Sequence, residues 1–249
     1  SSGNGTVQGN WVYDVAVTGG SDLTMIENEN GALDQTAGTY LQNLVNTDTS
    51  VHWIEYTFTP EILNGSGNNS SCENGVPQTV RVIVNPRPQI VVEPSADTLC
   101  YDEGITFNVL SGNGTVQGDW RYDVEISGSS DLSAIGNESE DFSRAEGTFA
   151  QGLTNNDTAV HWIEYTFTPF ITNSGGAIAD CENGISQTVR IIINPRPEIV
   201  VEPSADTLCY DEGITFNVSS GNGAVQGNWA YDVAVTGGSD LTMIENENG

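Results

Sequence analysis

Apolar and polar residues alternate along several short stretches of this chain of 249 residues, and clusters of Gly, Asn and Pro separate those stretches. A period of two places every second side chain on one face of a sheet, so the pattern predicts β-strands with one buried face. The clearest predicted strands are 105–109, 120–126, 160–167 and 189–193. Only 132–135 and 152–153 are ambiguous, and no stretch predicts a helix.

The chain is built from a repeat of 109 residues. The repeated stretches are 2–9 with 111–118 and 220–227, 51–60 with 160–169, and 85–109 with 194–218. The spacing is constant, without insertion or deletion, which is typical of tandem units. A unit of about a hundred residues is large enough to close its own hydrophobic core.

Alternate copies resemble each other more closely than neighbouring copies do. Over the thirty positions that all three copies share, the first and third differ at two and the first and second at eleven. The duplicated element therefore looks like a pair of units. Recent duplication explains the near-identity, so identity between copies does not mark functional residues. Serial copies favour a stalk, which gains reach from each one, over a catalytic unit.

Seven or so short strands per unit predict an all-β fold of tandem immunoglobulin-like β-sandwich domains in a linear array, in which Trp120 occupies a position typical of a core Trp. The Asn-Pro-Arg-Pro segments at 85–88 and 194–197 mark the seams, because proline fixes φ and lacks an amide donor. The predicted domains are 1–86 (partial, without its N-terminal strands), 87–195 (complete) and 196–249 (partial, without its C-terminal strands).

Four motifs along the repeat resemble the PKD-like domains of giant Bacteroidota cell-surface adhesins. They are the Tyr-Thr-Phe-Thr-Pro strand at 165–169, the Cys-Glu-Asn-Gly loop at 181–184, the strand and linker at 188–197, and the Cys-Tyr-Asp-Glu-Gly turn at 209–213. The loop inverts the Gly-Cys order usual in that family. The resemblance implies an extracellular filament on a bacterial cell surface, exported by the type IX secretion system and used in attachment or gliding motility.

The charge is strongly negative, with 34 acidic residues against 6 Arg and no Lys, a net charge of −28. Such a surface repels nucleic acid and anionic membranes but attracts divalent cations. No stretch approaches the ~20 apolar residues of a membrane helix, so no direct membrane insertion is predicted. The expected partners are neighbouring repeats, surface polysaccharide and other copies of the filament.

The cysteines suggest disulfides and an oxidising compartment. They are Cys72, Cys100, Cys181 and Cys209. Three pairings are open: Cys100 with Cys181 inside a unit, Cys72 with Cys100 and Cys181 with Cys209 across the seams, or Cys100 with the equivalent of Cys181 in the following unit. We favour the pair inside one unit, because domains commonly fold autonomously and the long loop at 169–186 could bring the two residues together.

Acidic residues gather beside each seam, and carboxylates are ligands that Ca²⁺ prefers. The candidate ligands are Asp97, Asp102, Glu103, Asp206, Asp211 and Glu212. There is no EF-hand loop, so structural Ca²⁺ is a hypothesis and no other cofactor is predicted. Asp-Thr followed by an aliphatic residue resembles the O-glycosylation signal of Bacteroidota and makes Thr98, Thr158 and Thr207 candidate sites.

The remaining chemistry-bearing residues predict no enzyme. His52 and His161 lack Cys or His neighbours in sequence and are expected to have a packing or surface role. Trp53 and Trp162 lie out of phase with their apolar neighbours, which favours burial on both faces, with carbohydrate stacking as the alternative. The sequence thus predicts a structural stalk of a secreted adhesin. The alternatives are a repeat-borne glycan- or ligand-binding module and a surface-layer lattice protein.

Overall fold

The computed structural model of the chain describes residues 9–63, 72–172 and 180–237. The first unit contains β1 (Asn10–Gly20), β2 (Ile26–Glu27), β3 (Ala32–Gln35), β4 (Val45–Asn46), β5 (His52–Leu63) and β6 (Gln78–Val84). The middle unit contains β7 (Ile90–Pro94), β8 (Thr98–Leu99), β9 (Glu103–Ser111), β10 (Asp119–Ser129), β11 (Ile135–Gly136), β12 (Asp141–Arg144), β13 (Gly147–Asn155), β14 (His161–Thr172) and β15 (Gln187–Ile193). The third unit contains β16 (Ile199–Pro203) and β17 (Phe216–Ser220).

The middle unit is a β-sandwich of two sheets. One sheet has the strand order β12-β10-β14-β15-β8 and the other has the order β11-β13-β9-β7. Neighbouring strands are antiparallel except β15 and β8, which are parallel. This arrangement is immunoglobulin-like, as the sequence predicts. Within the described residues, no helix is long and apolar enough to cross a membrane.

An aromatic cluster occupies the centre of the middle unit. The Phe107 ring on β9 lies 5.8 Å from Phe149, 5.5 Å from Tyr165 and 5.2 Å from Phe167, measured between ring centroids. Phe107, Tyr165 and Phe167 are fully buried. Because each buried aromatic ring removes a large apolar area from water, at about 25 cal/mol per Å², this cluster is a main source of the unit's stability.

A side-chain amide joins the two sheets of the middle unit. Gln187 on β15 donates from Nε2 to the carbonyl of Val92 at 2.9 Å, and its Oε1 accepts the amide of Val92 at 3.0 Å. Val92 lies on β7, in the opposite sheet, and is buried. The amide therefore satisfies two backbone groups that would otherwise be unpaired inside the sandwich.

The first and third units each contain one part of this sandwich. In the first unit the sheet β3-β1-β5-β6 forms, together with the short pair β2–β4. In the third unit β16 and β17 form an antiparallel hairpin. Residues 228–237 form no strand, although the same sequence with one change forms β1 at 10–19. The difference is that β1 pairs with β5, whereas 228–237 have no such partner among the described residues.

The predicted strands are confirmed: 105–109 lies within β9, 120–126 within β10 and 189–193 within β15, whereas 160–167 begins one residue before β14. The ambiguous stretch 132–135 is a 3₁₀ turn, Leu132–Ala134, whose N-terminal cap is the Asp131 carboxylate. The ambiguous stretch 152–153 belongs to β13. The edge strand β12 is not among the strands that the alternation predicts.

Candidate functional site: the seams between units

The linker at the first seam is fixed against the middle unit. Pro86 and Pro88 are both buried. Arg87 donates from Nε to the carbonyl of Asn183 at 2.8 Å, and the amide of Ile185 donates to the carbonyl of Pro88 at 2.9 Å. The linker is therefore held by packing and by hydrogen bonds, in addition to the intrinsic stiffness of proline.

One asparagine closes the seam from the side of the middle unit. The Asn113 Oδ1 accepts the amide of Gln89 at 2.8 Å, and its Nδ2 donates to the carbonyl of Arg87 at 2.9 Å. The same Nδ2 lies 3.4 Å from the carbonyl of Thr49 in the first unit. Asn113 thus contacts the linker and the preceding unit at once.

A second asparagine closes the seam from the side of the first unit. Asn85 follows the last strand of that unit, and its side-chain amide pairs with the backbone of Gln117. The Asn85 Nδ2 donates to the Gln117 carbonyl at 2.8 Å, and the Gln117 amide donates to Asn85 Oδ1 at 2.7 Å. Two parallel bonds fix both the distance and the orientation of the two groups.

Backbone hydrogen bonds also cross the seam directly. The amide of Gly114 donates to the carbonyl of Thr49 at 3.0 Å, and the amide of Val51 donates to the carbonyl of Thr115 at 2.7 Å. The loop after β9 and the loop before β5 therefore pair over a short stretch. The two units contact each other through these loops as well as through the linker.

These contacts explain the composition of the repeated Ser-Gly-Asn-Gly-Thr-Val-Gln-Gly motif. The Ser111 hydroxyl accepts the amide of Asn113 at 3.0 Å and so orients it. At Gly112 an added Cβ would lie 2.9 Å from the Cβ of Gln89, so the linker passes too close for a larger residue. Gly118 has a φ of 111°, which L-residues with a side chain rarely adopt.

The second seam repeats the first. Asn194 and Gln226 exchange bonds of 3.0 and 2.8 Å, as Asn85 and Gln117 do. Asn222 donates to the carbonyl of Arg196 at 2.8 Å and accepts the amide of Glu198 at 2.7 Å. The equivalent of the Gly114 bond joins the Gly223 amide to the Thr158 carbonyl at 3.2 Å. The seam is therefore a property of the repeat.

The structure does not bring together the cysteines that we expected to pair inside a unit. All four cysteines are free. Cys181 pairs with Ile171 near one end of β14, and Cys100 follows Leu99, which pairs with Ile193 beside the other end of β14. About ten strand residues, or ~33 Å, separate these ends, whereas bridged Cα atoms lie within ~7 Å. The loop at 169–186 therefore leaves Cys181 beside the first seam.

The pairings across the seams are not favoured either, because Cys72 pairs with Ile62 at the far end of the first unit. The pairing with the following unit agrees best with the positions of the cysteines. The Sγ of Cys181 lies 3.9 Å from Nδ2 of Asn85, at the end of the preceding unit. The equivalent asparagine, Asn194, donates its amide to the carbonyl of Leu99, next to Cys100, at 2.9 Å.

The predicted calcium ligands lie on the surface near Cys100 and Cys209. Glu103 and Glu212 each accept a cysteine amide, from Cys100 and Cys209, at 2.8 Å. Asp102 and Asp211 have positive φ values of 59° and 64° in the same turns. The glutamates thus act as turn caps, and calcium at these positions stays a prediction.

A different carboxylate group, which no motif in the sequence indicates, lies on the first unit. Among the described residues, Asp14, Asp34 and Glu61 form the one acidic group whose oxygen atoms lie within 4.8 Å of one another. Desolvation and the two neighbouring aspartates raise the pKa of Glu61. In the middle unit Ser143 and Phe170 replace Asp34 and Glu61, so the middle unit lacks this group.

The histidines have partners that the sequence did not indicate. The His161 Nε2 lies 2.9 Å from Asp157 Oδ2, and its Nδ1 lies 2.9 Å from Ser130 Oγ. His52, Asp48 and Ser21 repeat this arrangement at the same distances. Since the Ser130 hydroxyl also accepts the amide of Trp162 at 3.0 Å, the group ties a loop to the start of β14.

We expect His161→Ala to lower the free energy of unfolding of the middle unit by about 1–3 kcal/mol, because a buried ring bonded at both nitrogens is removed. The hydrogen bond from His161 lowers the pKa of Asp157. The ionised Asp157 carboxylate therefore stabilises the folded unit above about pH 4. This contribution is lost as the pH falls through the lowered pKa of Asp157. Calorimetry at pH 7 and pH 3 measures both effects. An equal loss at the two pH values would contradict this coupling.

Trp53 and Trp162, for which burial is expected and sugar stacking is the alternative, are half-buried, and an arginine of their own unit packs over each ring. The Arg190 guanidinium lies 4.2 Å from the centroid of Trp162, and Arg81 lies 3.7 Å from that of Trp53. Arg190 also donates from Nε to Glu164 at 2.9 Å. These cation–π contacts occupy a ring face that a sugar would need.

The candidate glycosylation sites differ in their surroundings. Thr98 is half-buried on β8, whereas Thr158 and Thr207 are exposed. The carbonyl of Thr158 belongs to the second seam, so a glycan there would stand beside the contact between units. Modification of the three threonines stays a prediction.

No protein-family model and no curated protein sequence matches the chain. Among solved structures, it is similar to the FN1–FN3 domains of chicken CNTN1, with a TM-score of 0.26 and 15% sequence identity. The similarity covers 78% of this chain and 61% of the other chain. The immunoglobulin-like fold is assigned from the strand order of the middle unit.

Proposed function

We propose that the chain is a stalk segment of a secreted cell-surface adhesin that serves attachment or gliding motility. The observation that carries this proposal is the recurrence of one set of hydrogen bonds at two seams, 109 residues apart. A repeated seam sets the same angle between successive units, and an array with a constant angle extends in one direction.

The path of force through the middle unit supports a mechanical role. Force along the array enters the middle unit at the linker before β7 and leaves after β15. Beyond β7 the chain continues into β8, which is the parallel neighbour of β15. The amide of Ile192 donates to the carbonyl of Asp97, and that of Asn194 to the carbonyl of Leu99, each at 2.9 Å. Tension pulls the two strands in opposite directions along their axes, so both bonds resist together rather than one after the other.

The charge supports the same proposal. A net charge of −28 keeps neighbouring filaments apart at low ionic strength and keeps the surface soluble. On this proposal the chain lies outside the cell and performs no catalysis. Its main partners are the neighbouring units of the same array. The cysteines would then join successive units covalently, through the pairing of Cys100 with the equivalent of Cys181 in the next unit.

A glycan array separates the stalk from its main rival. A stalk should bind none of the glycans on the array above background. A module that binds a glycan in each repeat should bind more strongly as the number of units increases. If the chain bound a glycan and Trp162→Ala abolished that binding, the function would be that of a binding module and not of a stalk. Ordered two-dimensional sheets in electron micrographs would instead indicate a surface-layer protein.

A further inference from the structure

The repeated motif places an asparagine directly before a glycine at each seam, as Asn113-Gly114 at the first and Asn222-Gly223 at the second. A glycine in this position has no side chain to hinder its own amide nitrogen, which can therefore close a ring onto the asparagine side chain. Asn113 is half-buried and Gly114 is exposed, so water can reach the dipeptide. Ring closure would consume the side-chain amide of Asn113, which is the group that closes the seam.

The contacts at the first seam account for both residues of the dipeptide. Asn113 is needed because its Oδ1 accepts the Gln89 amide while its Nδ2 donates to the carbonyl of Arg87. Glycine is favoured at 114 because an added Cβ would lie 2.3 Å from the Ser50 hydroxyl oxygen of the first unit, which would have to move. The contact between the units therefore depends on a pair of residues whose own chemistry can remove it.

We propose that Asn113 and Asn222 are sites of spontaneous deamidation, and that the seam both slows this reaction and is opened by it. At the first seam the amide nitrogen of Gly114 bonds to the side-chain carbonyl carbon of Asn113. The proton of the glycine amide passes to the side-chain nitrogen, which leaves as ammonia, and a succinimide ring remains. Water then opens the ring at either carbonyl and gives aspartate or isoaspartate at position 113.

The intact seam opposes this reaction. The Gly114 amide donates to the carbonyl of Thr49 at 3.0 Å, so its proton is held by the first unit. The side chain of Asn113 is held at both ends, by the Gln89 amide at 2.8 Å and by the Arg87 carbonyl at 2.9 Å. Ring closure requires the two reacting groups to turn towards each other, which breaks these bonds. The reaction therefore proceeds from a locally opened seam, as amide hydrogen exchange proceeds from a locally opened structure.

A converted seam cannot close again in the same way. The Nδ2 of Asn113 faces the carbonyl oxygens of Arg87 at 2.9 Å and Thr49 at 3.4 Å. A carboxylate oxygen in its place has no proton to donate, so two attractive contacts become repulsive. Because ammonia is lost, the change is irreversible, and the seams of an old array are less stiff than those of a new one. The proposal concerns the chemistry of the seam and does not depend on the stalk function.

Peptide mapping by mass spectrometry measures the reaction at each asparagine. The full chain is incubated at mildly alkaline pH, either folded or unfolded in guanidinium chloride, and sampled over time. We expect Asn113 and Asn222 to convert in the unfolded chain, and to convert at least about tenfold more slowly in the folded chain, because opening the seam breaks several hydrogen bonds. Equal rates in the two conditions, or no conversion in the unfolded chain, would overturn the proposal.

The two seams of one chain control each other in a second experiment. Asn85→Ala removes the paired bonds to Gln117 at the first seam and leaves the second seam intact. It should speed conversion of Asn113 about threefold or more and leave that of Asn222 unchanged. Asn194→Ala should do the reverse, because Asn194 makes the equivalent bonds at the second seam. If neither substitution changed a rate, or each changed both rates equally, the seam would not control the reaction.

The effect of the product on the seam is tested with Asn113→Asp, which places the carboxylate there directly. The amides of Gly114 and Val51 bond across the seam, so their hydrogen exchange reports its opening. We expect Asn113→Asp to speed exchange at both amides at least about tenfold. Asn108→Asp is the matched control, because it adds the same charge at an exposed position of β9 and should leave both rates within about twofold. Unchanged exchange in Asn113→Asp, or equal changes in the two variants, would overturn the claim that deamidation opens the seam.

Discussion

Phe107→Ala is expected to lower the free energy of unfolding of the middle unit by about 3–5 kcal/mol. The side chain is fully buried and contacts the rings of Phe149, Tyr165 and Phe167. Removing it creates a cavity between the two sheets, and neighbouring rings can fill that cavity only in part. Differential scanning calorimetry of the full chain should show the transition of the middle unit at a lower temperature.

The repeat provides a matched control for this substitution. Phe216 occupies the equivalent position 109 residues later but is 56% exposed, so Phe216→Ala should change the same transition little. If the two substitutions destabilised the middle unit equally, the assignment of the hairpin at 199–220 to a separate unit would be wrong. If neither had an effect, the aromatic cluster would not be the core of the sandwich.

Asn113→Ala is expected to loosen the first seam while leaving both units folded. The substitution removes the bonds to the Gln89 amide and to the carbonyls of Arg87 and Thr49, at a cost of about 1–3 kcal/mol to the seam. Spin labels at Leu33 and Phe142, equivalent exposed positions in the two units, report the result as a distance distribution. The labelled chain carries serine in place of its four cysteines.

We expect a single narrow distance distribution for the chain with an intact seam and a broad one for Asn113→Ala. Asn108→Ala is the control, since Asn108 is an exposed asparagine of the neighbouring strand β9 and makes no bond across the seam. A narrow distribution in all three chains would mean that the linker prolines alone fix the seam. A broad distribution in all three would mean that the seam is flexible and the array is not stiff.

The repeat, the all-β class and the sandwich could be predicted from the sequence, because alternation and spacing are local properties. Strand β13 was harder to recognise, since two of its inward positions carry the polar residues Gln151 and Asn155. Asn155 is buried because its Nδ2 donates to the carbonyls of Ala159 and Ile193, at 2.8 and 2.9 Å. Buried amides with local partners hide the alternation that identifies a strand.

Local sequence also fails where strand formation depends on a distant partner. Residues 10–19 form a strand and 228–237 do not, although they differ at one position. Similarly, the Ser-Gly-Asn-Gly-Thr-Val-Gln-Gly motif could be recognised as a marker of the period, but its role could not. Its partners at Thr49 and Asn85 lie in the preceding unit, so no pattern within the motif indicates them.

Single-molecule pulling of the full chain tests the mechanical account most directly. The chain should give one cooperative rupture with a gain of about 350 Å in contour length, the length released when about 109 residues unfold. Ile192→Pro removes the amide that bonds Asp97 and should lower the rupture force, because the parallel strands β8 and β15 would no longer resist together. Gradual extension of the unsubstituted chain, or rupture at the same force in both chains, would contradict a stalk that carries force through these strands.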